Sequence, residues 1–249
     1  MTADSGVQFP RAGSLELHSP PIGHRVGLGS SKRQTPEQRS AALFAFDREL
    51  GIDWVVGADE AGRGCLGGPL VAAAVAFDYT RLSAADLRRL FDLDDSKKRK
   101  GERRTALFHA VNLSAAAISI SIRPSQVIDS EGLHKTNIAA LADATARIGR
   151  PLGANLTDGF EVPLPWGAST KLIKGDARSA SIAAASIIAK EVRDKYMVAI
   201  AGEFPGYGFE SHVGYATQAH RDAIAKLGPC SLHRRSFNSS SFDGASSAV

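Results

Sequence analysis

Four acidic residues that follow short apolar runs are the residues of this chain best suited to catalysis. Asp59 and Glu60 follow the run Trp54-Val55-Val56, and Asp158 and Asp176 follow two later apolar segments. Burying adjacent ionised carboxylates costs free energy unless a cation neutralises them. Oxygen ligands suit Mg²⁺ or Mn²⁺ better than zinc. Two such ions about 4 Å apart activate a water molecule and stabilise the leaving oxygen of a phosphodiester.

A turn built of Gly62-Arg63-Gly64 comes directly after the first acid pair. Its glycines let the backbone approach a ligand closely, and its arginine carries a charge whose geometry matches a phosphate group. The acid pair and the basic turn together predict a metal-dependent enzyme that acts on a phosphate ester.

Each acid also has a simpler interpretation, and the residues alone leave both open. Asp158 precedes Gly159, and an Asp-Gly pair after a strand is most often a turn. Asp176 precedes a predicted helix, whose dipole favours an acid at its start. Neighbouring residues on a strand point to opposite faces, so Asp59 and Glu60 converge only if the strand ends there.

Hydrophobic periodicity predicts the elements that would position these acids. The pattern of apolar runs and helical spacings is typical of an α/β domain with a mixed β-sheet flanked by helices and a helical C-terminal part. Predicted helices cover residues 37–50, 84–91, 101–112, 136–149, 181–202 and 215–227. Predicted strands cover residues 54–59, 68–77, 117–122, 154–158 and 169–174.

The composition of the 249 residues predicts a folded domain between two disordered ends. Hydrophobic residues make up 43%, enough for a core, and the net charge of +4 is compatible with nucleic-acid binding. Residues 1–35, rich in Gly, Ser and Pro, are expected to form a disordered arm, residues 36–238 the domain, and residues 239–249 a disordered tail. Two cysteines and no apolar run of about 20 residues indicate a soluble cytoplasmic protein without a membrane segment.

The acid pair and its turn resemble the opening signature of the type 2 ribonucleases H, specifically the bacterial ribonuclease HII family. Similar blocks follow in family order over roughly residues 50–238. They are Gly68-Pro69-Leu70-Val71, Asp95-Ser96-Lys97-Lys98, Thr157-Asp158-Gly159, Lys174-Gly175-Asp176-Ala177-Arg178-Ser179, residues 181–190, Arg193-Asp194, residues 212–217, His220 and His233-Arg234. Together these blocks are specific, although each alone is weak.

The resemblance implies a ribonuclease-H-like fold and a catalytic role for the four acids. Asp59, Glu60, Asp158 and Asp176 match the four carboxylates that bind two divalent ions, Mg²⁺ or Mn²⁺. The implied reaction is hydrolysis 5′ to ribonucleotides, in RNA–DNA hybrids and at single ribonucleotides in duplex DNA, leaving 3′-hydroxyl and 5′-phosphate ends. Such an enzyme serves ribonucleotide removal in DNA replication and repair, and we expect it to act as a monomer.

The resemblance also assigns the residues that recognise the substrate. Gly62, Arg63 and Gly64 match a turn that senses the ribonucleotide 2′-hydroxyl, a group that both donates and accepts hydrogen bonds. Tyr215 matches a tyrosine that stacks on the following deoxyribose; without the resemblance it would be interpreted as a half-buried aromatic at a helix start.

Three lysines are expected to contact substrate phosphates. Lys97 and Lys98 precede Arg99 in a basic turn, and Lys190 lies on the long predicted helix. Each has an alternative interpretation as an ordinary solvated lysine.

Two positions depart from the family pattern beside the sensing turn. Cys65 stands where proline is usual, and Gly67 where alanine is common. These departures put the rigidity of the turn and its discrimination of junctions in question, but not the metal ligands.

Two competing interpretations make different predictions. Ribonuclease HIII, a sister family, has an added N-terminal substrate-binding domain and lacks Gly-Arg-Gly, whereas Arg63 is present here. A non-catalytic nucleic-acid-binding protein would lack one of the four acids, and all four are present.

Overall fold

A central β-sheet organises the part of the chain described by the computed structural model, residues 35–93 and 101–237. The strands within these ranges are β1 (Trp54–Ala61), β2 (Leu70–Asp78), β3 (Ala117–Arg123), β4 (Ala154–Asp158), β5 (Pro163–Leu164), β6 (Gly167–Ala168) and β7 (Thr170–Leu172). The α-helices are α1 (Pro36–Glu49), α2 (Ala84–Arg89), α3 (Glu102–Ser114), α4 (Ser125–Glu131), α5 (Leu133–Ile148), α6 (Ala180–Ile200), α7 (Phe209–His212) and α8 (Gln218–Leu227).

Strand β1 occupies the middle of a mixed five-stranded sheet in the order β3-β2-β1-β4-β7. It pairs antiparallel with β2, which pairs antiparallel with β3. On its other side it pairs parallel with β4, which pairs parallel with β7. Strands β5 and β6 form a separate short hairpin. The parallel half places the carboxyl ends of β1, β4 and β7 at one edge.

Helices cover both faces of the sheet, because β1 and β2 are apolar on both sides. On one face, β2 residues such as Val75 and Phe77 pack with α1, α3 and α6. On the other, Ala72 and Ala74 pack with α4 and α5. The core is therefore two apolar layers separated by the sheet.

A glycine in β1 lets the long helix α6 approach the sheet very closely. A Cβ on Gly57 would lie 2.1 Å from the backbone nitrogen of Ile182. No side chain fits between the two backbones, so the first turn of α6 rests directly on β1. This contact places the start of α6 beside the acids of β1.

The predicted mixed α/β architecture is confirmed, with local differences at element ends. Strand β1 continues to Ala61 instead of ending at Asp59-Glu60. The predicted strand 169–174 is shorter, and Asp176 lies in a 3₁₀ turn, Gly175–Ala177. Helix α8 begins at Gln218 instead of residue 215, because the Thr217 side chain caps it.

Helices α4 and α7 and the β5–β6 hairpin were not predicted, because they are too short to show periodicity. The predicted arm 1–35 (except Thr35) and tail 239–249, together with Lys97 and Lys98, lie outside the described residues. None of the described helices is long and apolar enough to cross a membrane.

Candidate active site

Parallel pairing of β1 and β4 brings Asp59 and Asp158 to the same level of the sheet. The last paired positions are Ala58 and Thr157, and the next residue of each strand is an aspartate. Both carboxylates therefore leave neighbouring strands at the carboxyl edge, where open α/β sheets commonly place ligands.

A turn between β7 and α6 adds the third aspartate. Oxygens of Asp59, Asp158 and Asp176 all lie within 4.8 Å of one another. The turn is tied to β4, because the backbone N–H of Gly175 donates to Oδ1 of Asp158 at 2.7 Å. The backbone N–H of Ser179 in turn donates to the carbonyl of Gly175 at 2.9 Å. Sequence analysis expected Asp158 and Asp176 to meet, and the structure brings them together.

Glu60 lies next to this group but is not part of it. Because β1 runs on to Ala61, Asp59 shares the α6 face with Val55, while Glu60 shares the opposite face with Val56 and Ala58. Glu60 nevertheless lines the same cavity as Asp59. The structure thus groups three of the four expected acids and leaves the fourth at the rim.

The pKa of Asp59 is strongly raised by its surroundings. Its side chain is buried, and its Oδ1 accepts a hydrogen bond from the backbone N–H of Glu60 at 2.8 Å. Burial first, and then the negative charge of Glu60, raise the pKa of Asp59 to about 8, while the hydroxyl of Ser186 opposes the shift. A carboxylate held in this way is stabilised by a bound cation.

Two buried arginines hold the loop that contains Gly62-Arg63-Gly64. Arg193 donates to the carbonyls of Pro69 at 3.0 Å, Gly67 at 3.0 Å and Val213 at 2.9 Å. Arg234 donates twice to the carbonyl of Gly68, at 3.1 and 2.9 Å.

Arg234 also fixes the turn itself, because its Nη1 donates to the carbonyl of Arg63 at 3.0 Å. Burial lowers the pKa of Arg234 to about 10, so the guanidinium keeps its charge at neutral pH. Fully buried charges of this kind are rare and are satisfied here by backbone carbonyls. The hydrogen bonds from these two arginines hold the loop in one conformation.

Cys65 fits this loop without a clash and adds a hydrogen bond. Its side chain is completely buried, and its backbone N–H donates to the carbonyl of Gly62 at 3.3 Å. A proline at this position has no N–H and could not make that bond. Leu66 and Gly67 then donate to the carbonyl of Gly214, at 2.9 and 3.3 Å. The turn is closed by its own backbone and attached to the segment before Tyr215.

The side chain of Arg63 turns towards the strand that carries Asp158. Its guanidinium carbon lies 4.6 Å from the centre of the Phe160 ring, a cation–π distance. Phe160 follows Asp158 by two residues, and its carbonyl accepts from the hydroxyl of Thr157. The positive charge of Arg63 therefore lies on the same side of the site as the acid cluster.

Tyr215 lines the same cavity and is 38% exposed. The ammonium of Lys190 lies 4.8 Å from its ring centre and also pairs with Asp194 at 2.7 Å. Lys190 thus reaches the site, held between a carboxylate and an aromatic face. Asp194 forms this ion pair and a second one with Arg104 at 2.9 Å.

A cavity of about 240 Å³ joins these groups. Its lining consists of Asp59, Glu60, Ala61, Gly62, Arg63, Asp158, Ser186, Lys190 and Tyr215. Three of the four expected acids, Gly62 and Arg63 of the turn, Lys190 and Tyr215 therefore line one cavity. Asp176 and Gly64 do not line it, although Asp176 lies within the acid cluster.

Four residues that shape this site have no role that the sequence indicates: Ser186, Phe160, Arg193 and Arg234. The two arginines lie within the family-like blocks, yet an arginine in a sequence does not indicate burial. Ser186 stands among alanines and isoleucines of α6, all core residues by pattern. Only the fold shows that these side chains reach the cavity or its loop.

The sequence matches the family model described as Ribonuclease HII over residues 56–240. A Ribonuclease HII of Rhizobium leguminosarum bv. trifolii is 47% identical over 191 residues, 76% of this chain and 80% of the relative. A Ribonuclease HII of Mycolicibacterium vanbaalenii is 46% identical over 208 residues, 82% of this chain and 81% of the relative.

Solved structures show the same fold at low sequence identity. Ribonuclease H2 from Pyrococcus horikoshii OT3 aligns with a TM-score of 0.62 and 22% identity, over 77% of this chain and 97% of that one. Bst-RNase HIII in complex with Mn²⁺ aligns with a TM-score of 0.60 and 19% identity, over 85% of this chain and 73% of that one. The ribonuclease-H-like fold expected from the sequence is confirmed.

The family match spans the strands that carry the acids, the arginine-held turn and Tyr215. The alignments with these two relatives, both above 40% identity, cover 80% and 81% of the relatives' own length. This chain belongs to the ribonuclease HII family and is a ribonuclease H endonuclease.

Proposed function

We propose that this enzyme hydrolyses the phosphodiester on the 5′ side of ribonucleotides, both in RNA–DNA hybrids and at single ribonucleotides in duplex DNA. The products would carry 3′-hydroxyl and 5′-phosphate ends. The observation that carries the proposal is the convergence of an acid cluster, a Gly-Arg-Gly turn and an aromatic ring on one cavity.

The residues present fit a divalent-metal site. Three carboxylates within 4.8 Å, two of them buried, repel one another strongly unless cations bind between them. Their hard oxygen donors suit Mg²⁺ or Mn²⁺. We propose Asp59, Asp158 and Asp176 as ligands, with Glu60 joining them from the rim of the cavity. When bound, two such ions supply Lewis acidity to the phosphodiester and lower the pKa of water.

The chain itself positions the scissile phosphate through its fixed backbone. The turn Gly62-Arg63-Gly64 presents backbone groups whose orientation is set by Arg234 and Arg193. A 2′-hydroxyl both donates and accepts, so a rigid backbone can distinguish ribose from deoxyribose at this point. Arg63, held over Phe160, supplies a positive charge beside the acids.

Tyr215 is proposed to stack on the deoxyribose that follows the ribonucleotide. Its ring is partly exposed, and Lys190 and Arg193 lie on it at 4.8 and 5.7 Å, so its orientation is restricted. Lys190, together with Lys97 and Lys98 outside the described residues, is proposed to contact the phosphate backbone. The junction between the ribonucleotide and the following deoxyribonucleotide would bind between the Gly62–Gly64 turn and Tyr215.

The wider role follows from this substrate class. We propose that the enzyme removes ribonucleotides during DNA replication and repair, in the cytoplasm and as a monomer. Residues 36–238 would form the catalytic domain, flanked by the arm 1–35 and the tail 239–249.

A cleavage assay on three matched duplexes tests the proposal. The substrates are all-DNA, DNA with one embedded ribonucleotide, and an RNA–DNA hybrid, each with Mg²⁺, Mn²⁺ or a chelator. We expect metal-dependent cleavage of the last two, 5′ to the ribonucleotide, with a 3′ end that a DNA polymerase can extend. Binding without cleavage in the presence of either metal would instead identify a non-catalytic nucleic-acid-binding protein.

A further inference from the structure

Two buried histidines connect the backbone of Tyr215 to the C-terminal part of the chain. The side chains of His220, on α8, and His233 are 0% and 2% exposed. Their Nε2 atoms lie 3.1 Å apart. Nδ1 of His220 lies 2.8 Å from the carbonyl oxygen of Tyr215, and Nδ1 of His233 lies 2.9 Å from the backbone nitrogen of Cys230.

The partners at the two ends determine where the protons are. A backbone N–H can only donate, so Nδ1 of His233 accepts from Cys230, and the proton of a neutral His233 ring is on Nε2. A carbonyl can only accept, so Nδ1 of His220 carries its proton and donates it to Tyr215. Nε2 of His220 is then the acceptor for Nε2–H of His233. One set of neutral tautomers therefore satisfies these three hydrogen bonds. Sγ of Cys230 also lies 3.1 Å from Nδ1 of His233.

A third histidine is fixed in the same way and supports the pair. His212 accepts from the backbone N–H of Gly214 at its Nδ1, 3.2 Å away, and its Nε2 donates to the carbonyl of Tyr207 at 2.7 Å. Its ring stacks on that of His220 with centroids 4.2 Å apart. Burial lowers the pKa of His220 and of His233 to about 4, which keeps both rings neutral at ordinary pH.

This chain of hydrogen bonds ends where the sensing turn is attached. The carbonyl of Gly214 accepts the N–H groups of Leu66 and Gly67, just after the Gly62–Gly64 turn. Gly67 also forms a backbone bridge with His233. The histidines thus sit between the turn and Tyr215 and touch the backbone of both segments.

We propose that His220 and His233 are positioning residues for ribonucleotide recognition, which hold the Tyr215 backbone at a fixed place relative to the Gly62–Gly64 turn. The inference rests on the proposed junction role of Tyr215. A purely structural pair would be replaceable by apolar side chains of similar size with equal effects on all substrates. A positioning pair affects most the substrate that needs the tyrosine.

Substitutions at His220 separate these two roles. His220→Leu removes the donor to Tyr215, whereas the side-chain amide of His220→Asn has an N–H near the position of Nδ1–H. The readout is the ratio of kcat/KM on a single embedded ribonucleotide to that on a long hybrid. We expect His220→Leu to lower this ratio roughly fivefold, the size of one neutral hydrogen bond, and His220→Asn to restore most of it.

A double variant shows whether the effect passes through the tyrosine. Tyr215→Ala should lower the same ratio, and adding His220→Leu should change it no further. If wild type and Tyr215→Ala behave as proposed but His220→Leu lowers both activities equally, the positioning role is wrong and the proposed function stands. If wild type does not cleave at a single ribonucleotide, or Tyr215→Ala leaves the ratio unchanged, the proposed junction function fails, and the inference with it.

The tautomers can be measured on the unaltered protein, independently of how any variant folds. Long-range ¹H–¹⁵N spectra at pH 7.5 should show His220 protonated on Nδ1, and His212 and His233 protonated on Nε2. A His220 ring that is protonated on Nε2, or on both nitrogens, would overturn the inference.

Discussion

The guanidinium of Arg193 fills the space that a side chain on Gly62 would need. A Cβ at Gly62 would lie 2.0 Å from Nε of Arg193 and 2.8 Å from the carbonyl oxygen of Pro69. Gly62 also has a φ of +87°, a conformation that favours glycine. The first glycine of the Gly62–Gly64 turn is therefore required by a buried arginine on α6, whatever its part in substrate contact.

Replacing Gly62 with alanine should destabilise the protein, while the same change at Gly64 should not. Gly62→Ala adds both backbone strain and a collision with Arg193, and we expect a loss of roughly 2–4 kcal/mol in the free energy of unfolding. A Cβ on Gly64 meets nothing within 4 Å, so Gly64→Ala should stay within about 0.5 kcal/mol of wild type. Urea unfolding of the two variants measures the difference; equal losses would contradict this account.

Asp59→Asn should remove metal-dependent cleavage without unfolding the protein. The change keeps the shape but removes a carboxylate from the cluster, so the rate should fall by more than about a hundredfold. Metal-free stability at neutral pH should stay nearly the same, because the raised pKa already keeps Asp59 mostly protonated and the amide has the same shape. Cleavage rates, with melting temperatures in chelator and in Mg²⁺, test this. Normal turnover would show that Asp59 is not a ligand.

Arg104 should contribute more to stability than its neighbour Arg103. Arg104 pairs with Glu191 at 2.7 Å and with Asp194 at 2.9 Å, where the Glu191 side chain is only 4% exposed. Its removal leaves buried acids short of a partner, so Arg104→Ala should cost roughly 2 kcal/mol. Arg103 is 66% exposed and lies 3.4 Å from the buried Asp92, a longer contact made by a largely solvated cation, so Arg103→Ala should cost less than about 1 kcal/mol. Chemical denaturation of both variants measures their free energies of unfolding. Similar losses in the two variants would contradict the prediction.

The buried histidines should make unfolding sensitive to mild acid. The pKa of His220 and of His233 is lowered to about 4 in the folded protein, against 6.5 for the free side chain. Between these values the unfolded chain binds more protons, so the free energy of unfolding decreases as the pH falls from about 6.5 to 4. His212, Cys230 and Tyr207 are further titratable groups that pack against this pair.

A comparison with a variant isolates this histidine contribution. The raised pKa of Asp59 acts in the opposite direction over the same range, but equally in both proteins. His220→Asn cannot titrate, so its unfolding free energy should depend on pH less steeply, by up to about 1 kcal/mol per pH unit. Parallel slopes for wild type and His220→Asn would show that His220 is not held neutral by burial.

Most of the fold follows from periodic patterns that are local in the sequence. The alternation in β3 and the helical spacing in α6 predict those elements nearly to their ends. What the pattern cannot predict is where a strand stops. The apolar pattern predicts a strand that ends at residue 59, at the acid pair. Pairing with β2 instead extends β1 to Ala61, and this places Glu60 on the face opposite Asp59.

The acids of the site could be named from the sequence, but the side chains that hold the site could not. Asp158 and Asp176 follow apolar segments, and the parallel sheet then brings them to Asp59. Arg193 and Arg234 are different, because their role depends on burial against carbonyls more than a hundred residues away in the chain. Contacts at that separation leave no local pattern.

The separation of the catalytic groups along the chain has a consequence for the enzyme during its own synthesis. Asp59 leaves the ribosome long before Asp176 completes the cluster, and Arg234, which fixes the Arg63 carbonyl, comes later still. A partly synthesised chain therefore carries neither a complete set of acids nor a rigid turn. We therefore expect cleavage activity only from chains that extend beyond Arg234.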